Sequence, residues 1–86
     1  MARVIIRYWA AAKEAAGVQE ESVEAVTLDD LLNTVVASRK PDGRLADVLA
    51  RSSFLVNADP VGRKAKPSIL LDDGAVVEVL PPFAGG

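Results

Sequence analysis

The segment from Thr27 to Gly43 constrains the fold most, because it has the pattern of one amphipathic helix with defined ends. Thr27 is the predicted N-cap, with Asp30 three residues later as in a capping box. Pro41 and Gly43 end the helix. One helix with a single apolar stripe needs a sheet to cover, so we expect an α+β fold. The apolar residues of this stripe are Leu28, Leu31, Leu32, Val35 and Val36.

The N-terminal segment predicts two strands that pair as a hairpin with a long connection. An alanine-rich helix ending at Gly17 joins the first strand, residues 3–9, to the second, residues 19–26. We expect Val23 and Val26 to be the core residues of the second strand. Alternation in the first strand puts Val4, Ile6 and Tyr8 on one face and Ile5, Arg7 and Trp9 on the other.

The C-terminal half predicts two more strands and a second, short helix. We expect the helix around residues 45–49, a strand at 54–57, a turn at 58–60 and a basic loop at 61–67. The final strand covers residues 75–80, with Val77 and Val79 towards the core and Val76, Glu78 and Leu80 facing away.

The order of these elements, β-β-α-(α)-β-β, is typical of a β-grasp fold, a mixed sheet with one main helix on one face. We expect this domain at residues 1–80 and a separate tail at 81–86. A chain of 86 residues holds only one such domain. The absence of Cys and His excludes disulfides, cysteine nucleophiles, zinc fingers and Ser-His-Asp triads.

Charge and hydropathy favour a cytoplasmic protein that binds neither nucleic acid nor membrane. The formal net charge is -2, which provides no electrostatic footprint for a polyanion. No segment reaches the roughly 20 apolar residues needed to span a bilayer. Arg7 interrupts the first apolar run, so the N-terminus is interpreted as a strand and not as a signal peptide.

The C-terminal tail has the pattern of a reactive tip built for another protein's active site. Consecutive prolines fix φ and favour an extended stalk. Glycines have no side chain, so they fit a channel too narrow for other residues. These features favour a tail that functions in another protein's active site over a terminus that is merely frayed. The tail with the strand end before it is Leu80-Pro81-Pro82-Phe83-Ala84-Gly85-Gly86.

The chemistry of this tip is that of the terminal carboxylate of Gly86. The carboxylate is ionised at neutral pH, and its carbon is a poor target for nucleophiles, so it needs activation. An ATP-dependent partner could adenylate it, after which a sulfur donor could displace AMP and leave a thiocarboxylate. A lysine amine could instead attack and give an isopeptide bond. In both routes Gly86 is a substrate and not a catalyst.

A second candidate site is an apolar docking surface at the base of the tail. If the first and last strands are neighbours, Trp9 and Leu80 lie together on the sheet face that the helix leaves open. Ile5 and Val76 extend this surface. Tryptophan is enriched at binding hot spots, which favours docking over scattered surface hydrophobes.

Two charged segments have simpler interpretations. The cations Arg63, Lys64 and Lys66 could contact an acidic groove on a partner, but a solvated loop explains them better. Asp72 and Asp73 stand beside Gly74, a pattern typical of a turn and not of a metal site.

Taken together, these motifs resemble the ubiquitin-like sulfur carriers, most closely the small subunits of molybdopterin synthase. The resemblance covers essentially the whole chain, and the Pro-Pro-x-x-Gly-Gly ending is its most specific part. The matching residues are Trp9-Ala10, Lys13-Glu14, Ala16-Gly17, the apolar helix, Val56-Asn57, Asp73-Gly74 and the segment from Leu80 to Gly86.

The resemblance implies a chain that is not an enzyme on its own. It implies that Gly86 is adenylated by an E1-like adenylyltransferase that uses ATP, and receives sulfur from a donor protein. The tail would enter a channel of the large catalytic subunit, within a heterotetramer, and give its sulfur to cyclic pyranopterin monophosphate. No permanently bound cofactor is implied. The channel would be lined by Pro81, Pro82, Phe83, Ala84 and Gly85.

Three residues depart from this pattern, and other functions remain open. Trp9 stands where Phe is usual, Lys13 where Arg is usual, and Phe83 where a smaller aliphatic residue is usual. These departures concern the choice of partner. The alternatives are a sulfur carrier for thiamin or cysteine synthesis, a ubiquitin-like protein modifier, and an interaction domain with an idle tail.

Overall fold

The structure is a computed structural model, and it describes residues 2–39 and 43–81. These residues form five strands, three α-helices and one 3₁₀ helix. In chain order the elements are β1 (Ala2–Tyr8), α1 (Ala10–Ala16), β2 (Glu20–Ala25), α2 (Leu28–Ala37), α3 (Leu45–Arg51), β3 (Ser53–Val56), β4 (Asp59–Pro60), the 3₁₀ helix (Lys66–Ser68) and β5 (Val76–Leu80).

The first and last strands lie side by side at the centre of one mixed sheet. The strand order is β2-β1-β5-β3-β4. β1 and β5 run parallel, whereas β1 with β2, β5 with β3 and β3 with β4 are antiparallel. This topology confirms the predicted β-grasp fold.

One face of this sheet is covered by the helices and forms the core. The predicted alternation is confirmed in both central strands, and α2 buries the stripe that its spacing predicts. Full burial of one such side chain stabilises the fold by about 1.5–3 kcal/mol. Val23 and Val36 pack only partly against this core. The buried residues of β1, β5 and α2 are Val4, Ile6, Tyr8, Val77, Val79, Leu28, Leu31, Leu32 and Val35.

The N-terminal end of α2 follows a local sequence signal. The backbone N–H of Asp30 donates to Thr27 Oγ1 at 3.0 Å, which confirms the predicted N-cap. The Asp30 carboxylate accepts from the N–H of Val26 at 2.9 Å, one residue before the partner expected in a capping box. The helix ends at Ala37. The predicted stop residue Pro41 lies outside the described residues.

The prediction that Val26 belongs to the core is wrong. β2 ends at Ala25, which is buried, and the Val26 side chain is 47% exposed. The carbonyl of Val26 accepts from the N–H of Leu71 at 2.9 Å, and its own N–H is bound by Asp30. These bonds draw Val26 out of the strand and into the turn before α2.

The turn predicted at residues 58–60 is displaced towards the N-terminus. Asn57 and Ala58 form it with positive φ values of 50° and 72°. Asp59 and Pro60 then pair with β3 as the short strand β4. Two consecutive residues with positive φ are typical of the two-residue hairpin turn whose twist matches that of the flanking strands.

The basic loop predicted at residues 61–67 is only partly a surface loop. Arg63 and Lys64 are exposed, as expected. Val61 is 7% exposed and joins the core, and Lys66 begins the 3₁₀ helix. In the part of the chain that the structure describes, no helix is long and apolar enough to cross a membrane.

Candidate functional site

The base of the predicted reactive tail lies at the C-terminal end of the central strand β5. Leu80 is the last residue of that strand, and the partly buried Pro81 is the last described residue. The tail residues predicted to enter a partner's channel and carry the sulfur, Pro82, Phe83, Ala84, Gly85 and Gly86, lie outside the described residues.

The parallel pairing of β1 with β5 brings Trp9 to this base. Tyr8 is the register partner of Val79, and the backbone N–H of Trp9 donates to the Val79 carbonyl at 3.2 Å. The next residues, Trp9 and Leu80, are therefore level with each other. The Trp9 side chain is 43% exposed, an unusual state for so large an apolar group.

The open face of the sheet carries all four residues of the predicted docking surface. Ile5 and Val76 are register partners on β1 and β5, and both are half-buried, as is Leu80. Each alternates with residues buried under the helices, so each points to the opposite side. The register row of Arg7 and Glu78 lies between the Ile5–Val76 pair and the base of the tail. The surface is therefore divided into two apolar rows.

Charge on this open face is concentrated towards β2. Arg3 forms an ion pair with Glu24 at 3.1 Å, and Arg7 forms one with Glu20 at the same distance. These exposed cross-strand pairs contribute little stability each, because water screens them. They keep the β2 side of the face polar, so the apolar residues of the face lie towards β5 and β3, where Glu78 is a charged exception.

Two separate grooves flank the base of the tail. Trp9 lines one of them with α1 residues such as Lys13 and with Val18, which is also exposed. Leu80 lines the other with residues of β3, β4 and the loop that follows. Trp9 and Leu80 are thus level with each other and face different concave surfaces.

Polar residues of the recognised motifs fix the start of β5. The Asn57 side-chain oxygen accepts from the N–H of Val76 at 2.9 Å, and the Asn57 N–H donates to the Val76 carbonyl at 2.8 Å. The Asp73 carboxylate accepts from the N–H of Arg3 at 2.8 Å. Gly74, with φ of 88°, donates its N–H to the Arg3 carbonyl. Asp73 therefore serves the turn, as predicted, and these bonds hold β5 in register with β1.

A partly buried polar cluster lies under the β1–β2 side of the sheet. The Tyr8 hydroxyl donates to the Glu21 carboxylate at 2.6 Å, and Arg39 donates to that carboxylate at 2.6 Å. Burial, followed by the hydrogen bond and the negative charge of Glu21, raises the pKa of the Tyr8 phenol well above its usual range. The positive charge of Arg39 opposes this rise. The cluster ties strands to α2 and does not reach the base of the tail.

Two residues of the apolar surface were missed by sequence reasoning. Leu55 is half-buried on the open face, where its register partners are Glu78 and Pro60. The alternation of Leu55 with the buried Phe54 in the sequence could have predicted that Leu55 lies on the open face. No sequence signal could have placed Pro60 on this surface, because the sequence around it predicts a turn and gives no sign of an edge strand.

The comparisons with known proteins point to one family. The model of the ThiS family matches residues 6–86. No curated protein is a significant match. The fold is similar to that of small archaeal modifier protein 1 from Methanosarcina acetivorans, with a TM-score of 0.83 and 24% identity over 100% of this chain and 98% of that chain.

Two further solved structures are similar. One is a putative molybdopterin converting factor, subunit 1, from Pyrococcus furiosus, with a TM-score of 0.78 and 24% identity, covering 96% of this chain and 100% of that chain. The other is from a complex of subunits 1 and 2 of the molybdopterin-converting factor of Helicobacter pylori, with a TM-score of 0.69 and 23% identity, covering 98% and 99%. At these identities the likeness is one of fold.

Proposed function

The chain belongs to the ThiS family of ubiquitin-like sulfur carriers, and we propose that it is the sulfur-carrier subunit of a molybdopterin synthase. In this proposal the carboxylate of Gly86 is adenylated and converted to a thiocarboxylate. Two such chains each give one sulfur to cyclic pyranopterin monophosphate and return to the carboxylate, which supplies the two sulfurs of the dithiolene of molybdopterin. The chain is a non-catalytic subunit and works with a larger catalytic subunit.

The observation that carries the proposal is the position of Trp9 level with Leu80 where the tail begins. Apolar side chains around that point suit a protein that docks on the open face and receives the tail. The five residues after Pro81 span at most about 17 Å when fully extended. A partner's reacting atoms must therefore lie within that distance of the sheet, which requires close docking.

The chemistry needs a partner at each step because the chain supplies only the acyl group. On the adenylating enzyme, an oxygen of Gly86 attacks the α-phosphorus of ATP and pyrophosphate leaves. The terminal sulfur of a persulfide on the donor protein then attacks the acyl carbon, and AMP leaves. A thiol next attacks the donor's sulfur in the resulting acyl disulfide, which releases the thiocarboxylate of Gly86 and leaves the donor and the thiol joined as a disulfide. ATP is bound by the E1-like partner, and we propose no cofactor held permanently by this chain.

Two similar structures support the choice of pathway and of partner. The Pyrococcus furiosus protein is described as a putative molybdopterin converting factor subunit, and the Helicobacter pylori protein lies in a complex of two such subunits. By analogy, we propose a heterotetramer with two copies of this chain and two of the larger subunit.

A protein modifier is the second candidate function. The similar structure from Methanosarcina acetivorans is named a small archaeal modifier protein, and its fold agrees with this one at a TM-score of 0.83. A modifier would use the same adenylated Gly86, but a lysine amine would attack it. A sulfur carrier for thiamin or cysteine synthesis would share the thiocarboxylate and differ only in the acceptor.

The deciding experiment is the intact mass of the native protein, followed by reconstitution with the larger subunit. We expect a species with one oxygen replaced by sulfur, and dithiolene formation from cyclic pyranopterin monophosphate. Deleting Gly86, or adding one residue after it, should abolish transfer because the reactive carbonyl is then lost or displaced. A circular dichroism spectrum equal to that of the unchanged chain is the control for folding.

The possible results separate the candidates. Full transfer by the chain without Gly86 would contradict sulfur carriage at that residue. A terminus that stays a carboxylate, together with lysines bearing a Gly-Gly remnant, would support the modifier. A thiocarboxylate that a thiazole or cysteine synthase consumes, and the molybdopterin enzyme does not, would change the pathway alone.

A further inference from the structure

The groove beside Leu80 is lined by apolar side chains, here called its floor, and by two lysines. It has a volume of about 380 Å³. We call it the hairpin groove, because β3 and β4 form one of its walls. Its charged lining residues are both lysines. The residues that matter here are Leu55, Pro60, Lys64, Lys66 and Leu80.

Neither lysine of the groove forms an ion pair with a carboxylate of the described residues. Lys66 Nζ lies 5.4 Å from the centre of the Phe54 ring, which forms part of the floor. Within residues 2–39 and 43–81, the ion pairs involve only arginines, at the other side of the sheet and at the end of α2. Asp59 and Asp72 share a neighbouring groove with Lys64, and neither forms an ion pair with it. Asp29 shares a further groove with Lys66 and forms no ion pair with it either.

The edge of the sheet at this groove is poorly suited to pairing with another strand. β4 has only two residues, and one of them, Pro60, has no N–H to donate. A segment that binds here would therefore be recognised through side chains. Apolar groups would contact the floor, and negative groups would contact the two lysines.

We propose that the hairpin groove binds an acidic segment of the larger synthase subunit that also contains apolar residues. This inference rests on the proposed function, since the groove begins at Leu80, one residue before the tail leaves the domain. A protein that encloses the tail is brought directly over the groove. Carboxylates on that protein would meet positive charge that no partner within the described residues neutralises.

A second copy of this chain fits the groove less well. Two of the acidic residues on its open face, Glu20 and Glu24, are already paired with Arg7 and Arg3 and form one strip along β2. The third, Glu78, lies between the two apolar rows. Self-association through that strip would have to break both ion pairs. The larger subunit is therefore the better occupant.

The test is a charge reversal with a matched control on the full chain. The variant carries Lys64→Glu and Lys66→Glu. The control carries Arg44→Glu and Arg51→Glu, which make the same change in net charge on α3, where both arginines line a separate groove. Association and dissociation rates with the purified larger subunit are measured at low and high salt.

We expect the lysine variant to bind at least about tenfold more weakly at low salt, mainly through slower association. The difference should shrink at high salt, because screening removes the long-range part. The control should stay within about twofold of the unchanged chain. A milder variant with Lys64→Gln and Lys66→Gln should show an intermediate loss, and it avoids the repulsion that two added carboxylates bring.

Each other result has a definite meaning. Equal affinity of the lysine variants and the control would overturn this inference while leaving the proposed function intact. A self-association of the unchanged chain that only the lysine variants lose, with binding to the larger subunit unaffected, would also overturn it and assign the groove to a second copy. If the unchanged chain does not bind the larger subunit, the proposed function fails, and this inference fails with it.

Discussion

At the scale of single residues, positive φ outside glycine occurs among the described residues at Ala10, the first residue of α1, and at both residues of the turn between β3 and β4. Asn57 and Ala58 both have positive φ, at 50° and 72°. Asparagine tolerates this region, and here its side chain also bonds the N–H of Val76. Alanine has neither advantage, because its Cβ makes the left-handed region costly by about 1–2 kcal/mol. Only one of the two turn residues is therefore well suited to its conformation.

We predict that Ala58→Gly stabilises the domain. Glycine removes the steric cost of the positive φ, and the Asn-Gly pair is the preferred sequence for this hairpin turn. Part of the gain is lost to the greater entropy of glycine in the unfolded chain. We expect the free energy of unfolding to rise by about 0.5–1 kcal/mol, measured by urea denaturation.

The matched control is the same substitution at Ala46, an exposed position in α3. There we expect Ala→Gly to lower the stability by up to about 1 kcal/mol, because helical φ gives glycine no advantage. A loss of stability in both variants would contradict the assignment of strain to residue 58.

At the scale of elements, one cluster of side chains joins two strands to two helices. Arg39 lies just beyond α2, and its guanidinium bonds the Glu21 carboxylate on β2 and the Ala16 carbonyl at the end of α1. It also lies 5.7 Å from the ring centre of Tyr8 on β1. Glu21 in turn accepts the Tyr8 hydroxyl. The ends of four elements are therefore fixed by one buried hydroxyl and one ion pair.

We predict that this cluster makes the fold sensitive to alkaline pH. The folded state raises the pKa of Tyr8 above its usual value of about 10, chiefly through burial. The unfolded chain therefore loses this proton first as the pH rises. Stability is full below about pH 10 and falls above it, with a slope of at most about 1.4 kcal/mol per pH unit from this one group.

The measurement is urea denaturation across the alkaline range for the unchanged chain and for Tyr8→Phe. Tyr8 is the only tyrosine of the chain, so tyrosinate absorbance reports this group alone. We expect the substitution to lower stability at neutral pH, because Glu21 loses a hydrogen bond, and to flatten the alkaline slope. An equally steep slope in the variant would show that other groups cause the alkaline loss.

The elements that local patterns define were predicted well, and those that distant contacts define were not. The alternation in β1 and the stripe and cap of α2 each lie within one short segment. β4 and the exposure of Val26 depend on pairing with Leu55 and Leu71, which no local pattern reveals. Arg39 stands just beyond the end of α2, yet its carboxylate partner Glu21 lies 18 residues away, which no local pattern reveals.

At the scale of the whole molecule, the open face has a polar side at β2 and an apolar side at β5 and β3. Strand parity alone predicted that Trp9 and Leu80 share this face, and the parallel pairing of β1 with β5 brings them level. Parity could not show that Arg7 and Glu78 divide the surface, because that depends on register. The hairpin groove was also beyond prediction, since it forms only when the loop carrying Lys64 returns to β3.

The last prediction concerns Trp9 as the principal contact of the proposed docking surface. Truncation by Trp9→Ala should weaken binding to the larger subunit by about 2 kcal/mol or more, roughly thirtyfold in Kd. Its cost to stability should be about 1 kcal/mol or less, because the indole is 43% exposed in the free chain.

Val26→Ala is the control, since Val26 is 47% exposed and lies at the start of α2, away from the tail. Calorimetric titration and urea denaturation of both variants separate docking from folding. Equal affinities of the two variants would show that the tail reaches its partner without Trp9, and the apolar contact would then have to come from Leu55 and Leu80 on the neighbouring strands β3 and β5.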